Sequence, residues 1–294
     1  MNKLYVVGNG LDLYHGIPTS YKHFGVYLKC MAPEIFEIVD RYLGADDDLW
    51  CAFEARLADL DTDTMADDAG KFLVSYAVDE WSDAYHHDYQ FEVNRIVSAL
   101  SSKLYLNFEN WLATLVMPSP QSLSIPKLPL PKDGRYLTFN YTETLQTTYG
   151  IPDEQVLHIH GQRSVKGSVI LGHDWAPLPL NSHADLEEQD TRVTEGNEII
   201  DSYFKKTFKP TSNIIDLNHT YFRSLQYVNE VVVLGHSMSK VDLPYFEEII
   251  KVTNNPKWRI SFFEKGDLFS KFDISDAIGI SPNDRVFGSI VAVA

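Results

Sequence analysis

Residues 3–18 read KLYVVGNGLDLYHGIP, and this stretch decides the fold. Lys3–Val7 is a short, continuous apolar run, the mark of a strand buried on both faces. Gly8-Asn9-Gly10 stops it with a tight turn, and a helix is expected to follow. The same grammar recurs along the chain. Arg135–Asn140 (RYLTFN) reads as a strand, and Tyr141–Tyr149 has helical character up to Gly150 and Pro152. Val156–His160 (VLHIH) closes on Gly161, and Ser168–Leu171 on Gly172-His173-Asp174. Glu230–Leu234 (EVVVL) is the cleanest buried strand and ends in Gly235-His236-Ser237. Asp242–Thr253 follows as a helix with Pro244 in its first turn. Trp258–Phe263 is the next strand and Arg285–Val293 the last. Apolar strands alternating with helices predict an α/β fold with a doubly wound, mainly parallel sheet.

Two segments interrupt this pattern, at about 34–117 and 183–226, and both read as helical insertions into one domain spanning 1–294. Charge marks the first of them. The chain has 25 Lys and Arg against 41 Asp and Glu, a formal charge of −16. Residues 34–92 hold 17 of the acids and 3 of the bases, a net of −14, which leaves −2 for everything else. Within that segment Leu49, Phe53, Leu57 and Leu60 recur at helical spacing, and Phe72, Tyr76, Ala77 and Trp81 do so again. The segment therefore reads as amphipathic helices with an acidic outer face. Pro118, Pro120, Pro126, Pro129 and Pro131 mark a linker back into the sheet.

Composition removes several classes of function. A hydrophobic content of 44% and an aromatic content of 13% argue for a packed chain. The acidic balance counts against nucleic acid as a partner, since phosphate-backbone binding needs a basic footprint. No apolar run approaches the roughly 20 residues of a membrane span, and the N-terminal run is too short for a signal peptide. Cys30 and Cys51 make neither a disulfide framework nor a zinc knuckle. These features predict a reduced, soluble, cytoplasmic protein with no metal centre.

Five predicted strands end in small or functional residues. In an open α/β sheet, ligands bind beyond the carboxyl ends of the strands. Gly8, Asn9, Gly10, Asn140, Tyr141, His160, Gly161, His173, Gly235, His236 and Ser237 are thereby expected to face one crevice. Glycines there let backbone approach a phosphate.

The order and context of four of these motifs resemble the sirtuin fold, in which NAD lies between such loops. Gly8-x-Gly10 followed by Gly16-Ile17-Pro18 resembles its opening turn and loop. Thr138-Phe139-Asn140-Tyr141 resembles its Thr-Gln-Asn-Ile-Asp turn, and His160-Gly161 its catalytic His-Gly. Gly235-His236-Ser237-Met238 resembles its late Gly-Thr-Ser-Leu strand end. A closer resemblance covers almost the whole chain. Gly8-Asn9-Gly10-Leu11-Asp12, Gly16-Ile17-Pro18-Thr19-Ser20-Tyr21, Trp50-x-x-x-Glu54, Phe139-Asn140-Tyr141-Thr142, His158-Ile159-His160-Gly161 and Leu234–Asp242 with Tyr245-Phe246 are similar to the AbiH family of abortive-infection proteins. That resemblance implies a role in phage defence and a sirtuin-like, Rossmann-type fold. Two cysteines leave no zinc ribbon, and Thr19-Ser20-Tyr21 replaces the sirtuin Asp-Phe-Arg. The departures count against protein deacetylation, and the resemblance to defence-associated sirtuin-like domains that lack the ribbon implies NAD hydrolysis instead.

On that resemblance Asn140 and His160 are catalytic, with His160 as base or ribose-hydroxyl relay and Asn140 orienting water and ribose. Gly8, Asn9 and Gly10 carry the pyrophosphate. Gly235, His236 and Ser237 hold the adenosine half, and Gly16, Tyr141 and Asp242 complete the NAD site. Asp12 contacts a ribose hydroxyl or caps a helix. His158, two residues from His160, would share its side of a strand. Trp50 reads as core, and Glu54 as a residue able to reach the crevice. Three other functions stay open: a nucleotide sensor without turnover, a metal-dependent nuclease using His and Asp residues, and an interaction protein working through its acidic helices. A phage-derived trigger or partner protein and self-association are equally open.

Overall fold

The computed structural model describes residues 2–75, 85–175 and 190–294, with the backbone alone at 85 and 86. The helical pattern at Tyr76, Ala77 and Trp81, and the start of the second insertion at 183–189, lie outside the described residues. Six strands form one sheet: β1 (Lys3–Val7), β2 (Arg135–Thr138), β3 (Val156–His158), β4 (Glu230–Leu234), β5 (Lys257–Ser261) and β6 (Arg285–Gly288). Their order is β3-β2-β1-β4-β5-β6, and every neighbouring pair is parallel. This is the strand order of a doubly wound Rossmann-type sheet.

Beyond the Lys3–Glu230 ion pair at their start, the central strands are apolar because both faces are covered. Leu4 and Val6 pack with Leu137, Val231, Val233 and Phe246 on one face. Tyr5 and Val7 pack with Tyr136, Val232, Leu234 and Leu145 on the other. The period-2 alternation of a strand therefore separates two apolar sets rather than an apolar and a polar set. The rings of Tyr5 and Tyr136 stack with centroids 5.0 Å apart across the β1–β2 pair.

Register brings the carboxyl ends level. Val7 lies opposite both Thr138 and Leu234, and Thr138 lies opposite His158. The loops beginning at Gly8, Phe139, Ile159 and Gly235 therefore leave the sheet together. The point at which the winding reverses falls between β1 and β4, where such sheets bind ligands.

Beyond shifts of a residue or two at the ends of β2, β3 and β5, two predicted strands differ. Ser168–Leu171 is irregular chain, with Ile170 N–H bonded to the carbonyl of His160 at 2.9 Å. Three apolar residues, Val169, Ile170 and Leu171, before a glycine mimic a strand, but here they line a return loop. The last strand stops at Gly288, because Ser289 accepts a hydrogen bond from the Ala292 amide and starts a helical turn at Ile290–Val293.

The chain divides into two compact units. One comprises Met1–Ser20, Trp111–Ile170 and Pro210–Ala294 and contains the sheet; the other comprises Tyr21–Asn110 and Leu171–Lys209. The second is helical, so most of the first predicted insertion and part of the second build one body. Helix Thr191–Thr207 packs on helix Tyr85–Ser98, where a side chain at Gly196 would come within 2.3 Å of the Tyr89 ring. Leu49, Phe53, Leu57 and Leu60 are buried, while Asp47, Asp48, Asp59, Asp63 and Asp67 are exposed, which is the amphipathic pattern expected. Some of the acids also have local work. Asp46 and Asp61 cap helices through the amides of Leu49 and Thr64, and Asp68 pairs with Arg41 and Lys71. Among the described residues, no helix is long and apolar enough to cross a membrane.

Candidate functional site

The site belongs to the sheet-bearing unit. The β1 and β4 ends are bonded to each other. Gly8 N–H donates to Leu234 O at 2.9 Å and Gly10 N–H to Gly235 O at 2.7 Å. A Cβ on Gly10 would lie 2.6 Å from the Gly235 Cα, and Gly235 has φ +61°. These glycines thus serve close backbone contact between two loops, and their amides at Gly8 and Gly10 are engaged by protein. Gly235→Ala is expected to cost about 3 kcal/mol, from left-handed strain plus overpacking. A denaturant titration checks it; an unchanged midpoint would mean that the loops part without cost.

Asn9 donates through Nδ2 to Thr19 O at 2.9 Å, which fixes the loop containing Gly16. Gly16 itself has φ +74°. Asp12 follows, fully buried, and its Oδ2 accepts from the Thr142 hydroxyl at 2.5 Å. Its Oδ1 has no hydrogen-bond partner. Burial pushes this carboxyl up to about 6, although the side chains of Thr142, Thr144 and Asn140 and the charge of Arg163 pull it back. Asp12 is thus no helix cap; its side chain crosses to the loop after β2.

That loop carries Phe139-Asn140-Tyr141-Thr142. Asn140 is buried, held by its own amide to Thr138 Oγ1 at 3.1 Å, and its Oδ1 has no partner. Two buried acceptor oxygens, Asp12 Oδ1 and Asn140 Oδ1, therefore make no hydrogen bond among the described residues, a costly arrangement for protein alone. Tyr141 turns away and bonds Ile170 O at 2.9 Å through its hydroxyl.

His158 and His160 part company. The strand ends at His158, so its alternation does not reach His160. His158 donates from Nδ1 to Asn140 O at 3.0 Å and accepts at Nε2 from Gln146 at 2.9 Å. Both its nitrogens are used structurally, and burial lowers its proton affinity. His160 instead places Nε2 3.2 Å from the Tyr245 hydroxyl and 3.8 Å from Asp242 Oδ1. His236 places Nε2 3.6 Å from Asp242 Oδ2. Phe139 packs edge-on against both imidazoles, with centroids 5.2 Å from His160 and 4.2 Å from His236. Asn140, next in sequence to Phe139, places the Asp12–Asn140 pair at the carboxyl end of the same strand, β2. Ser237 is exposed beside them.

His173 belongs to the helical unit, where it is buried with Nε2 3.1 Å from the Thr207 hydroxyl. Among the described residues no group of three or more His, Cys, Asp and Glu side chains is arranged to hold a metal ion. Sequence reasoning missed two members of the frame. Ser261 Oγ accepts from the Gly235 amide at 2.7 Å, and Lys271 Nζ donates to Ser261 O at 2.6 Å. Ser261 had a signal, being a polar residue at a strand end. Lys271, mid-helix, had none.

The family model for bacteriophage abortive infection, AbiH, matches residues 4–264, from β1 to just beyond β5. The chain belongs to the AbiH family. A comparison with curated proteins finds no match. Membership in AbiH assigns the protein to abortive-infection defence against phage. The matched stretch includes every residue of the Asp12–Asn140 pair and of the His160–Asp242–His236 group.

Proposed function

We propose that this AbiH protein acts in phage defence by binding NAD at the β1–β4 switch point and hydrolysing its nicotinamide–ribose bond, in a sirtuin-like variant of the Rossmann-type sheet. The observation that carries the reading is that buried acid–base groups and two acceptor oxygens with no hydrogen bond among the described residues both lie at the carboxyl ends of adjacent strands. A dinucleotide supplies what those oxygens lack, because ribose hydroxyls donate hydrogen bonds to Asp12 Oδ1 and Asn140 Oδ1. The glycines at Gly8, Gly10 and Gly235 set the width of the crevice along which the pyrophosphate and adenosine run, beside Asn9 and the exposed Ser237. Gly16 and Tyr141 shape its walls.

In the reaction a water oxygen bonds to the ribose C1′. The C1′–N bond breaks, and its electron pair passes to the ring nitrogen, so nicotinamide leaves neutral. The water proton goes to His160, and ADP-ribose remains. Asn140 orients the water and the ribose. A positioned base contributes about 10²–10⁴ in rate.

The purified protein, incubated with NAD and lysate from phage-infected cells, is expected to release nicotinamide. His160→Ala and Asn140→Ala should lower that release by at least about 10²-fold and remove protection from phage in cells. Saturable NAD binding with no nicotinamide under any trigger would instead make the protein a sensor. Full activity of His160→Ala would remove the assignment of the base.

A further inference from the structure

The loops after β1 and β2 leave the sheet side by side, with the Phe139 amide donating to Val7 O at 2.9 Å. A second tie joins them through two buried side chains. Thr142 Oγ1 donates to Asp12 Oδ2 at 2.5 Å, across 130 residues of sequence. That length is typical of a hydroxyl bonded to an ionised oxygen. Asp12 belongs to the short helix Gly10–Tyr14, and Thr142 directly precedes the helical turn Thr144–Thr147, so the bond is held from both ends by ordered backbone.

The direction of the bond follows from which groups own a proton. An ionised carboxylate accepts only, so the shared proton is that of Thr142. The Thr142 oxygen is then left to accept, and the Thr144 hydroxyl stands 3.2 Å from it. Met117 Sδ, 3.6 Å from the Thr144 hydroxyl, is a weak competitor for that second proton. The two hydroxyls thus point one way, toward the carboxylate, and a hydroxyl that accepts one hydrogen bond donates a stronger one. Thr142 is also β-branched, which stiffens its χ1. Only one oxygen of Asp12 is engaged in this way; Oδ1 makes no hydrogen bond among the described residues.

We infer that Thr142 is the positioning residue of the Asp12 carboxylate, a hydroxyl that fixes Oδ2 and thereby reserves Oδ1 as the acceptor for a ligand. A carboxylate free to turn about its last bond offers either oxygen in many directions. One pinned at Oδ2 offers a single oxygen in a set direction, which is what orientation of a substrate requires. The same bond favours the charged form, so Thr142 works against the burial that pushes Asp12 up to about 6. Arg163, from the loop after β3, adds a favourable charge. Tyr149, which burial pushes up to about 12, also feels the Asp12 charge. Asn140 stands two residues before Thr142, so one loop carries both the amide assigned to the water and the hold on Asp12.

The inference rests on the NAD reading only for what Oδ1 accepts; the hold itself is tested without substrate. The full chain, labelled with ¹³C at aspartate and threonine, reports by NMR. At about pH 8, where Asp12 is ionised, the wild type should show the Thr142 hydroxyl proton downfield and slow to exchange. Thr142→Val keeps the shape and removes the hydroxyl. It should raise the Asp12 titration by about one pH unit, and Thr142→Ser should bring most of it back. With NAD, Thr142→Val should lower kcat by about 10²-fold. It should also move the acidic limb of the pH profile upward, since Asp12 must be ionised to accept, and Thr142→Ser should recover both in large part. A folded Thr142→Val protein in which Asp12 titrates as in the wild type would overturn the assignment. So would a Thr142→Ser protein that titrates like Thr142→Val, or a wild-type Thr142 hydroxyl that exchanges as freely as one in solvent. NMR results as expected, together with a wild type that releases no nicotinamide, would uphold Thr142 and discard the NAD reading.

Discussion

Asp12→Asn should make the protein more stable at pH 7, by about 3 kcal/mol, while ending the NAD hydrolysis proposed above. The native carboxyl titrates at about 6 against an ordinary value of 3.8, because it is fully buried. At about 1.36 kcal/mol per unit, the difference is about 3 kcal/mol. The sign follows from which state binds the proton more tightly. Here it is the native state, so stability falls as pH rises from about 4 to about 6 and stays at the lower level above that. Asparagine keeps the shape and an oxygen for the Thr142 hydroxyl, but it has no charge to desolvate. The variant's advantage should therefore be full at pH 7 and shrink toward pH 4. Urea titrations of both proteins across that range measure it. A variant no more stable than the wild type at pH 7, with an unchanged slope against pH, would show that the carboxylate carries no such cost. Stability gained by deleting a buried charge is the usual sign of a group kept for chemistry rather than for folding.

The two central strands were legible to the residue. Lys3–Val7 and Glu230–Leu234 are continuous apolar runs closed by glycine, and such runs occur where both faces of a sheet are buried. Outer elements were less legible because context decides them. Ser168–Leu171 has the composition of a strand, yet it lies against His160 in a loop. The sequence also named the residue types at the strand ends, since function and tight turns both concentrate there. It did not reveal which side chains meet. Asp12 reads equally well as a helix cap until its carboxylate is seen against Thr142, 130 residues away. His158 and His160 read as equivalents until the strand ends between them. Asp242 is named for the site by resemblance alone, and nothing local shows that His160 lies within reach. Direction of a side chain is a tertiary property, set by where each strand stops.

Lys209 and Glu54 in the helical unit give the second large effect. Their ion pair is 155 residues long in sequence, with the lysine side chain 0% and the glutamate side chain 15% exposed. The Tyr21 hydroxyl donates to the other carboxylate oxygen. Two charges withdrawn from water gain little over an apolar pair of the same volume, but either one left alone is costly. Lys209→Met should therefore destabilise the protein by about 3 kcal/mol, and Glu54→Leu by more, about 5 kcal/mol. The order follows from the surroundings. Without lysine, the carboxylate keeps Tyr21 and its partial exposure; without glutamate, a side chain with no exposure loses its ion pair. The double variant Lys209→Met/Glu54→Leu should recover most of the loss, because neither charge remains to be desolvated. Denaturant midpoints of the four proteins form the cycle that tests this. Losses in the double variant equal to the sum of the single ones would show that the two side chains act independently, and that the pair is held apart by something other than mutual neutralisation.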